Sequence, residues 1–143
     1  MEPARLTDEA AMSLLDRARA ATANAYVPYS AFPVGAAVLT ADGSVFPGTN
    51  VENASYGLTV CAERVAVFAA VAAGHRAVRA VAVTAPRTTT VTPCGACRQV
   101  LNEFVPSDGD LVLVLDGADG PEQVLLGDLL PRSFGPRDLG EGD

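Results

Sequence analysis

The positions of the three cysteines constrain this 143-residue chain more than any other feature of its sequence. Cys61 opens the segment Cys-Ala-Glu-Arg, while Cys94 and Cys97 lie in Pro-Cys-Gly-Ala-Cys-Arg-Gln. Each segment is predicted to begin a helix, so a fold that brings the two helix starts together collects three sulfur atoms at one point. Catalytic zinc sites hold the ion with three protein ligands and leave the fourth tetrahedral position to water. The sequence therefore predicts an open site for one Zn²⁺ ion, bound by Cys61, Cys94 and Cys97.

The charge of such a site needs to be balanced. A helix N-terminus lowers the pKa of nearby thiols, because its free N–H groups and its dipole favour negative charge. Three thiolates around a divalent ion still leave a net charge of minus one, which opposes ionisation of a bound water. Arg64 lies three residues after Cys61 and could donate hydrogen bonds to the sulfurs. We therefore predict that Arg64 tunes the charge of the site.

Glu63 is the candidate catalytic acid and base. It lies two residues after Cys61, so its side chain does not share the helix face of that ligand. Within the first helical turn it can still reach over the open coordination position. A carboxylate placed there can take a proton from water and pass it to the substrate and the leaving group.

The Cys94-x-x-Cys97 spacing alone is also typical of half of a structural zinc site or of a redox pair. A structural site requires a fourth Cys or His, and the one histidine, His75, follows a glycine at a predicted helix end, where a surface residue is favoured. A redox pair leaves Cys61 and Glu63 without a role. The combination of Cys-x-Glu with a later Pro-Cys-x-x-Cys is instead a signature of zinc-dependent nucleobase deaminases.

The net charge of −7 bears on the kind of substrate. The sequence has no basic stripe that could neutralise a phosphate backbone, so a small neutral molecule fits better than nucleic acid. The N-terminal residues lack the basic start and apolar run of a secretion signal, and no long apolar span follows. We expect a cytoplasmic protein that binds neither nucleic acid nor membranes.

Hydrophobic periodicity and turn residues predict helices alternating with strands, and hence an α/β fold with one mixed sheet and helices on both faces. A single domain is expected over residues 1–143, with a frayed tail at about 138–143. The predicted helices are residues 8–24, 61–73, 93–104 and 127–130; the predicted strands are 34–40, 44–51, 80–84, 111–115 and 123–126, with a turn at 117–121.

The body of the second predicted helix, residues 65–73, contains no polar side chain. A helix that is apolar on all sides must be covered on all sides. It is therefore either a core helix over the sheet or part of a contact between subunits, and the sequence leaves both open.

Four sequence blocks resemble, in order and spacing, the small homotetrameric type of zinc-dependent cytidine deaminase, and the similarity covers nearly the whole chain. The resemblance implies that family's three-layer α/β/α sandwich with a mixed five-stranded sheet. Residues 44–47 and 117–121 have no fixed family sequence. The blocks are Tyr26-x-Pro28-Tyr29-Ser30-x-Phe32-x-Val34-Gly35-Ala36-Ala37, Gly48-x-Asn50-Val51-Glu52-Asn53, Cys61-Ala62-Glu63-Arg64 and Pro93-Cys94-Gly95-Ala96-Cys97-Arg98-Gln99.

The resemblance also implies roles for residues outside the cysteine segments. Asn50 and Glu52 would hold the ribose 3′-hydroxyl, although polar residues at a strand end are a second explanation. Phe32 would pack against the pyrimidine, with packing in the core as the alternative. The backbone N–H of Ala62 and the carbonyl region around Cys94 would contact the base edge.

Phe134 resembles an aromatic residue that enters a neighbouring subunit's site, with capping of its own subunit's core as the alternative. The implied metal ligands, the proton shuttle Glu63 and the charge-tuning Arg64 agree with the predictions made from the residues themselves.

The implied reaction is the hydrolytic deamination of cytidine and 2′-deoxycytidine to uridine and 2′-deoxyuridine, with release of ammonia, in pyrimidine salvage. Two alternatives stay open. One is a deaminase of the same fold that acts on blasticidin S or on a base in nucleic acid. The other is a structural zinc or interaction module without catalytic activity, which predicts four protein ligands.

Overall fold

The computed structural model describes residues 5–140, and its elements follow the predicted alternation of helices and strands. Short 3-10 helices at Thr22–Asn24, Tyr56–Leu58 and Pro136–Leu139 connect or follow these elements. None of the described helices is long and apolar enough to cross a membrane. In chain order the elements are α1 (Asp8–Ala21), β1 (Gly35–Thr40), β2 (Val45–Thr49), α2 (Ala62–Ala72), β3 (Val78–Thr84), α3 (Gly95–Asn102), β4 (Val112–Gly117), β5 (Gly120–Leu125) and α4 (Leu126–Leu129).

The five strands form one sheet in the order β2-β1-β3-β4-β5. Strands β3 and β4 are parallel, and the other neighbouring pairs are antiparallel. A parallel pair needs a crossover connection, which α3 provides here, whereas short turns are sufficient for the two hairpins. The predicted mixed five-stranded sheet is confirmed.

Helices cover both faces of this sheet, which confirms the predicted three-layer arrangement. Helix α1 begins where the Thr7 hydroxyl accepts a hydrogen bond from the Ala10 N–H at 3.1 Å. Its buried residues pack against small and branched side chains of β1, β3 and β4. The opposite face packs against α2 and α3 through the larger cluster of buried residues. The two helices that carry the cysteine segments therefore share one face of the sheet.

Helix α2 lies unusually close to the edge strand β2. A Cβ atom added at Gly48 would lie 2.5 Å from the backbone nitrogen of Ala66 and 2.6 Å from the carbonyl oxygen of Ala62. The helix ends before Gly74, whose φ of +103° is a left-handed value suited to glycine. One side of α2 is buried, but Phe68 is 48% exposed on the other. Helix α2 is thus a core helix with an uncovered apolar side, and its use as a subunit contact stays a prediction.

The predicted turn at 117–121 was too long. Strand β4 extends to Gly117 and β5 begins at Gly120, so only two residues lie between them. Gly120 adopts a φ of +123°, which permits this tight connection. At the C-terminus, Pro136–Leu139 forms one 3-10 turn, and the rest of the predicted frayed tail, residues 141–143, lies outside the described residues.

Candidate active site at the starts of two helices

The three cysteines converge as predicted. Cys61 directly precedes α2, Cys94 directly precedes α3, and Cys97 lies in the first turn of α3. The Cys61 and Cys94 sulfurs lie 4.0 Å apart, and the Cys94 and Cys97 sulfurs lie 3.4 Å apart. All three lie within 4.8 Å of one another. Ligands at about 2.3 Å from a tetrahedral zinc ion are separated by about 3.8 Å, so this set fits zinc.

The surroundings of Cys61 favour a thiolate at that residue, which suits metal binding. Interaction with the Cys97 thiol, and then with Arg64, lowers the pKa of Cys61 to about 5. The interaction with Cys61, together with burial, raises the pKa of Cys97. Because zinc binds thiolates, zinc and protons would compete for these sulfurs. In the described residues, the group that could hold a metal contains these three ligands and no fourth.

Arg64 lies beside the Cys61 sulfur, as predicted. Its Nη2 atom donates to the Cys61 sulfur at 3.5 Å, and the negative charge there raises the pKa of the guanidinium. Its Nε atom is buried and has no hydrogen-bond partner within the described part of the chain. Arg64 is thus half-buried with its guanidinium against the Cys61 sulfur, which is the position that charge tuning requires.

Glu63 is almost fully buried, with 4% of its surface exposed. Burial raises the pKa of its carboxyl to about 7, the negative charge of Cys61 adds to this effect, and Arg64 opposes it. Glu63 lines the same cavity of about 170 Å³ as Cys61 and Cys94. A carboxyl group with this pKa can both accept and donate a proton at neutral pH, beside the metal ligands.

The cavity includes residues that the sequence reasoning missed. Thr59, Val91 and Thr92 lie two or three residues before a cysteine ligand, and that proximity was the available signal. Arg98 in α3 donates to the carbonyl oxygen of Pro93 at 2.7 Å, which fixes the residue before Cys94. The lining residues are Val34, Asn50, Thr59, Cys61, Ala62, Glu63, Val91, Thr92 and Cys94.

Asn50 is buried and lines this cavity, but its side chain also braces the protein. Its Oδ1 accepts the Val34 N–H at 3.0 Å, and its Nδ2 donates to the carbonyl oxygen of Phe32 at 2.9 Å. A side-chain amide can make further hydrogen bonds beyond these two. Asn50 thus combines a position in the cavity wall with support of the segment before β1.

Glu52 lies outside the cysteine cavity, in a neighbouring groove of about 370 Å³ that it shares with Tyr29, Ser30, Tyr56 and Thr59. Its carboxylate accepts a hydrogen bond from the Ser30 hydroxyl and from the N–H groups of Tyr29 and Ser30 at 3.0 and 3.1 Å. These bonds, the hydroxyl first, lower the pKa of Glu52. Thr59 lines both spaces, so the groove and the cavity are neighbours.

The three remaining candidates occupy different surroundings. Phe32 is half-buried and is not among the residues that line the cavity. Phe134 is 60% exposed, which excludes the alternative that it caps its own core. Its carbonyl oxygen accepts a hydrogen bond from Gln99 of α3 at 2.8 Å. His75 lies beyond the opposite end of α2 from Cys61, with its Nδ1 atom 3.6 Å from Asp42, so it is not part of the site.

Comparison with protein families finds one matching model, the cytidine and deoxycytidylate deaminase zinc-binding region, over residues 8–112. A cytidine deaminase of Halalkalibacterium halodurans is 48% identical over 128 residues, covering 90% of this chain and 96% of the relative. A cytidine deaminase of Mycobacterium tuberculosis is 48% identical over 126 residues, covering 88% of this chain and 90% of the relative.

Solved structures of cytidine deaminases are also similar to this chain. The crystal structure of cytidine deaminase from Burkholderia pseudomallei superposes with a TM-score of 0.79 at 48% identity, covering 90% of this chain and 100% of that chain. The cytidine deaminase structure from Mycobacterium tuberculosis gives a TM-score of 0.74 at 47% identity, with 86% and 95% covered.

Proposed function

This chain belongs to the cytidine and deoxycytidylate deaminase family, and we therefore propose that it hydrolyses cytidine to uridine and ammonia in a zinc-dependent reaction. We include 2′-deoxycytidine as a second substrate and pyrimidine salvage as the physiological role. The observation that carries the proposal is the convergence of three cysteine sulfurs beside one cavity, which Cys61 and Cys94 line together with the buried carboxyl group of Glu63.

Cys61, Cys94 and Cys97 are the residues that would hold the zinc ion. When bound, the ion supplies Lewis acidity that lowers the pKa of a coordinated water towards neutrality. Arg64 withdraws part of the charge of the sulfurs through its hydrogen bond to Cys61, which offsets the excess of negative charge at the site.

Glu63 moves the protons of the reaction in our proposal. Water adds to C4 of the base while the Glu63 carboxylate accepts a proton from it and delivers a proton to N3. Glu63 then transfers the remaining hydroxyl proton to the amino group, which leaves as ammonia and yields the uracil carbonyl. The burial that raises the pKa of Glu63 to about 7 supports both the accepting and the donating role.

We assign the substrate contacts to residues of the cavity, of the neighbouring groove and of the segment before β1. Ala62 lies at the first position of α2, where helix N–H groups lack an intrahelical partner, and its N–H would bind the base edge. Asn50 and Glu52, one in the cavity and one in the adjoining groove, would hold the ribose. Phe32 would pack against the pyrimidine.

The proposal is tested with a panel of nucleosides followed by ultraviolet absorbance. We expect turnover of cytidine and 2′-deoxycytidine, and slow or no turnover of cytosine, blasticidin S and single-stranded DNA. Preferential turnover of blasticidin S or of DNA would instead select a deaminase with another substrate. The net charge of −7 supports the neutral nucleoside over DNA.

Elemental analysis tests the metal. We expect about one zinc ion per subunit and loss of activity on chelation, followed by recovery on addition of zinc. A protein that keeps its zinc but deaminates nothing in the panel would support the structural or interaction module, which requires a fourth protein ligand.

We also propose a cytoplasmic homotetramer whose sites are shared between subunits. The support for contacts between subunits comes from the uncovered apolar side of α2, where Phe68 is exposed, and from the exposed Phe134.

A further inference from the structure

Arg87 connects two segments that both contribute to the wall of the cysteine cavity. Val34 comes from the segment before β1, whereas Val91 and Thr92 come from the loop between β3 and α3. Arg87 lies in this loop, and its Nη1 atom donates a hydrogen bond to the carbonyl oxygen of Ala31 at 2.7 Å. The link spans 56 residues of sequence, so it is a tertiary contact and not a local turn.

Both segments contain a residue in an unfavourable backbone conformation. Ala31 and Thr90 each have a φ of +56°, in the left-handed region that side chains with a Cβ atom seldom adopt. Such conformations persist only where surrounding contacts hold them. The N–H of Thr90 donates to the carbonyl oxygen of Asp116 at 3.0 Å, which anchors the loop that carries Arg87 to β4.

The segment at residues 29–34 is held by several polar side chains, including Thr49, whose hydroxyl donates to the carbonyl oxygen of Val34 at 3.1 Å. Glu52 accepts the N–H groups of residues 29 and 30, and Asn50 binds the backbone of residues 32 and 34. The carbonyl oxygen of Ala31, between these two anchors, is the group that Arg87 binds. Asn50 and Glu52 follow the adjoining strand β2, whereas Arg87 reaches the segment from the loop after β3.

We propose that Arg87 is a positioning residue, which holds Ala31 in its left-handed conformation and so fixes Phe32 and Val34 for substrate binding. Arg87 is not among the residues that line the cavity, and its hydrogen bond goes to the backbone of Ala31. The expected effect of Arg87 on turnover rests on the proposed deaminase function. Its expected effect on the conformation of residues 29–34 is independent of that function.

Steady-state kinetics with cytidine as substrate tests the effect of Arg87 on turnover. Loss of a hydrogen bond from a charged donor in R87A should raise KM by about 3- to 10-fold and leave kcat within about 2-fold. R87K keeps a donor and should recover most of the loss. R79A, which removes another exposed arginine at the far end of β3, should leave KM unchanged. An unchanged KM in R87A would overturn the proposal.

The substitution A31G distinguishes two roles of Arg87, which are positioning of the backbone and attraction of the substrate by charge. Glycine adopts a φ of +56° without the steric cost of alanine, so the conformation needs less support. The increase in KM caused by R87A should therefore be at most half as large in the A31G background. An increase of the same size in both backgrounds would show that Arg87 acts by another route.

Hydrogen exchange of the amides of residues 29–32 and 34 tests the positioning role of Arg87 independently of turnover. Exchange there should be at least about 3-fold faster in R87A than in R79A, because local opening sets the rate. If the unaltered protein fails to deaminate cytidine, the proposed function is wrong, but faster exchange in R87A still supports the anchor. Equal exchange in R87A and R79A overturns it.

Discussion

Glu63 is a carboxyl group whose surroundings favour the neutral form, at a place where the proposed reaction needs both forms. Replacement by Gln keeps the size and hydrogen-bonding capacity of the side chain but removes the exchangeable acid proton. E63Q should lower kcat for cytidine by about 10² to 10⁴-fold, because a positioned acid and base is lost. Zinc content and circular dichroism should stay unchanged.

The exposed Glu122 offers a matched control, since E122Q makes the same chemical change on β5 without affecting the cavity. A kcat in E63Q close to that of E122Q would remove Glu63 from the mechanism.

Arg64 acts on the cysteines through a contact of 3.5 Å with the Cys61 sulfur and helps to lower the pKa of that thiol. R64A should therefore raise the pKa of Cys61, so that protons compete with zinc up to a higher pH. We expect zinc affinity to fall by about 10- to 100-fold, as for other groups that support metal ligands. Competition with a chelator across a pH series measures both effects.

The exposed Arg17 of α1 provides the control, because R17A removes one positive charge away from the site. Equal zinc affinity and pH dependence in R64A and R17A would contradict charge tuning.

At the level of elements, the contact between α2 and β2 sets where Cys61 and Glu63 lie. The missing side chain of Gly48 allows this contact, since a Cβ atom would meet helix backbone at 2.5 Å. G48A should destabilise the protein by about 1–3 kcal/mol, because backbone atoms cannot move aside as a flexible side chain can. Urea unfolding measures the loss, and zinc content should fall with it.

G57A is the control, because a Cβ atom at Gly57 would meet nothing within 4 Å. If G48A and G57A unfold at the same urea concentration and bind equal zinc, the close approach does not position the site.

Asp116 ties α1 to the strands that carry the loop before α3. It accepts hydrogen bonds from Arg19 Nη2 and from the Thr84 hydroxyl, both at 2.7 Å, and the Arg19 bond is the main cause of its lowered pKa. A carboxyl group with a folded pKa below its unfolded value stabilises the fold above the unfolded pKa. This contribution is lost as the pH falls through the folded pKa.

D116N should therefore be less stable than the unaltered protein at pH 7 by ~1 kcal/mol or less, because the ion pair is partly exposed to solvent. The difference should shrink as the pH falls below about 4. Urea unfolding at a series of pH values tests this, with the exposed Asp108→Asn as control. A difference that is independent of pH would show that the charge of Asp116 is not involved.

For the whole molecule, the main open prediction is that sites are shared between subunits. Phe134 is too exposed to complete its own core, and hydrogen bonds from Gln99 and Asn102 hold its backbone against α3. If Phe134 enters a neighbour's site, every site in F134A lacks the aromatic residue and every site in E63Q lacks the acid. In a mixed oligomer, some sites combine Glu63 from an F134A subunit with Phe134 from an E63Q subunit.

Dissociated F134A and E63Q subunits, reassembled together, should regain a substantial part of the kcat/KM for cytidine that each lacks alone. Sedimentation should give four subunits for each variant. Mixing that recovers no activity, with the mixed tetramer present, would show that Phe134 serves its own subunit.

Local sequence determined which three cysteines come together, the carboxyl group beside them and the order of helices and strands. Periodicity, helix-starting residues and the count of three cysteines with no fourth ligand are local properties, which the chain carries before it folds. The ends of the strands were predicted less accurately. The length of the β4–β5 turn depends on how far the two strands pair, and this pairing involves residues on both sides of the turn.

Tertiary structure alone decided the rest of the site. It placed Asn50 in the cavity and Glu52 in the adjoining groove, raised the pKa of Glu63 by burial, and brought Arg87 to Ala31. No pattern within the sequence measures burial or a contact across 56 residues. These properties arise from how the sheet and its two helix layers pack, which is why residue types predicted the chemistry and packing set its geometry.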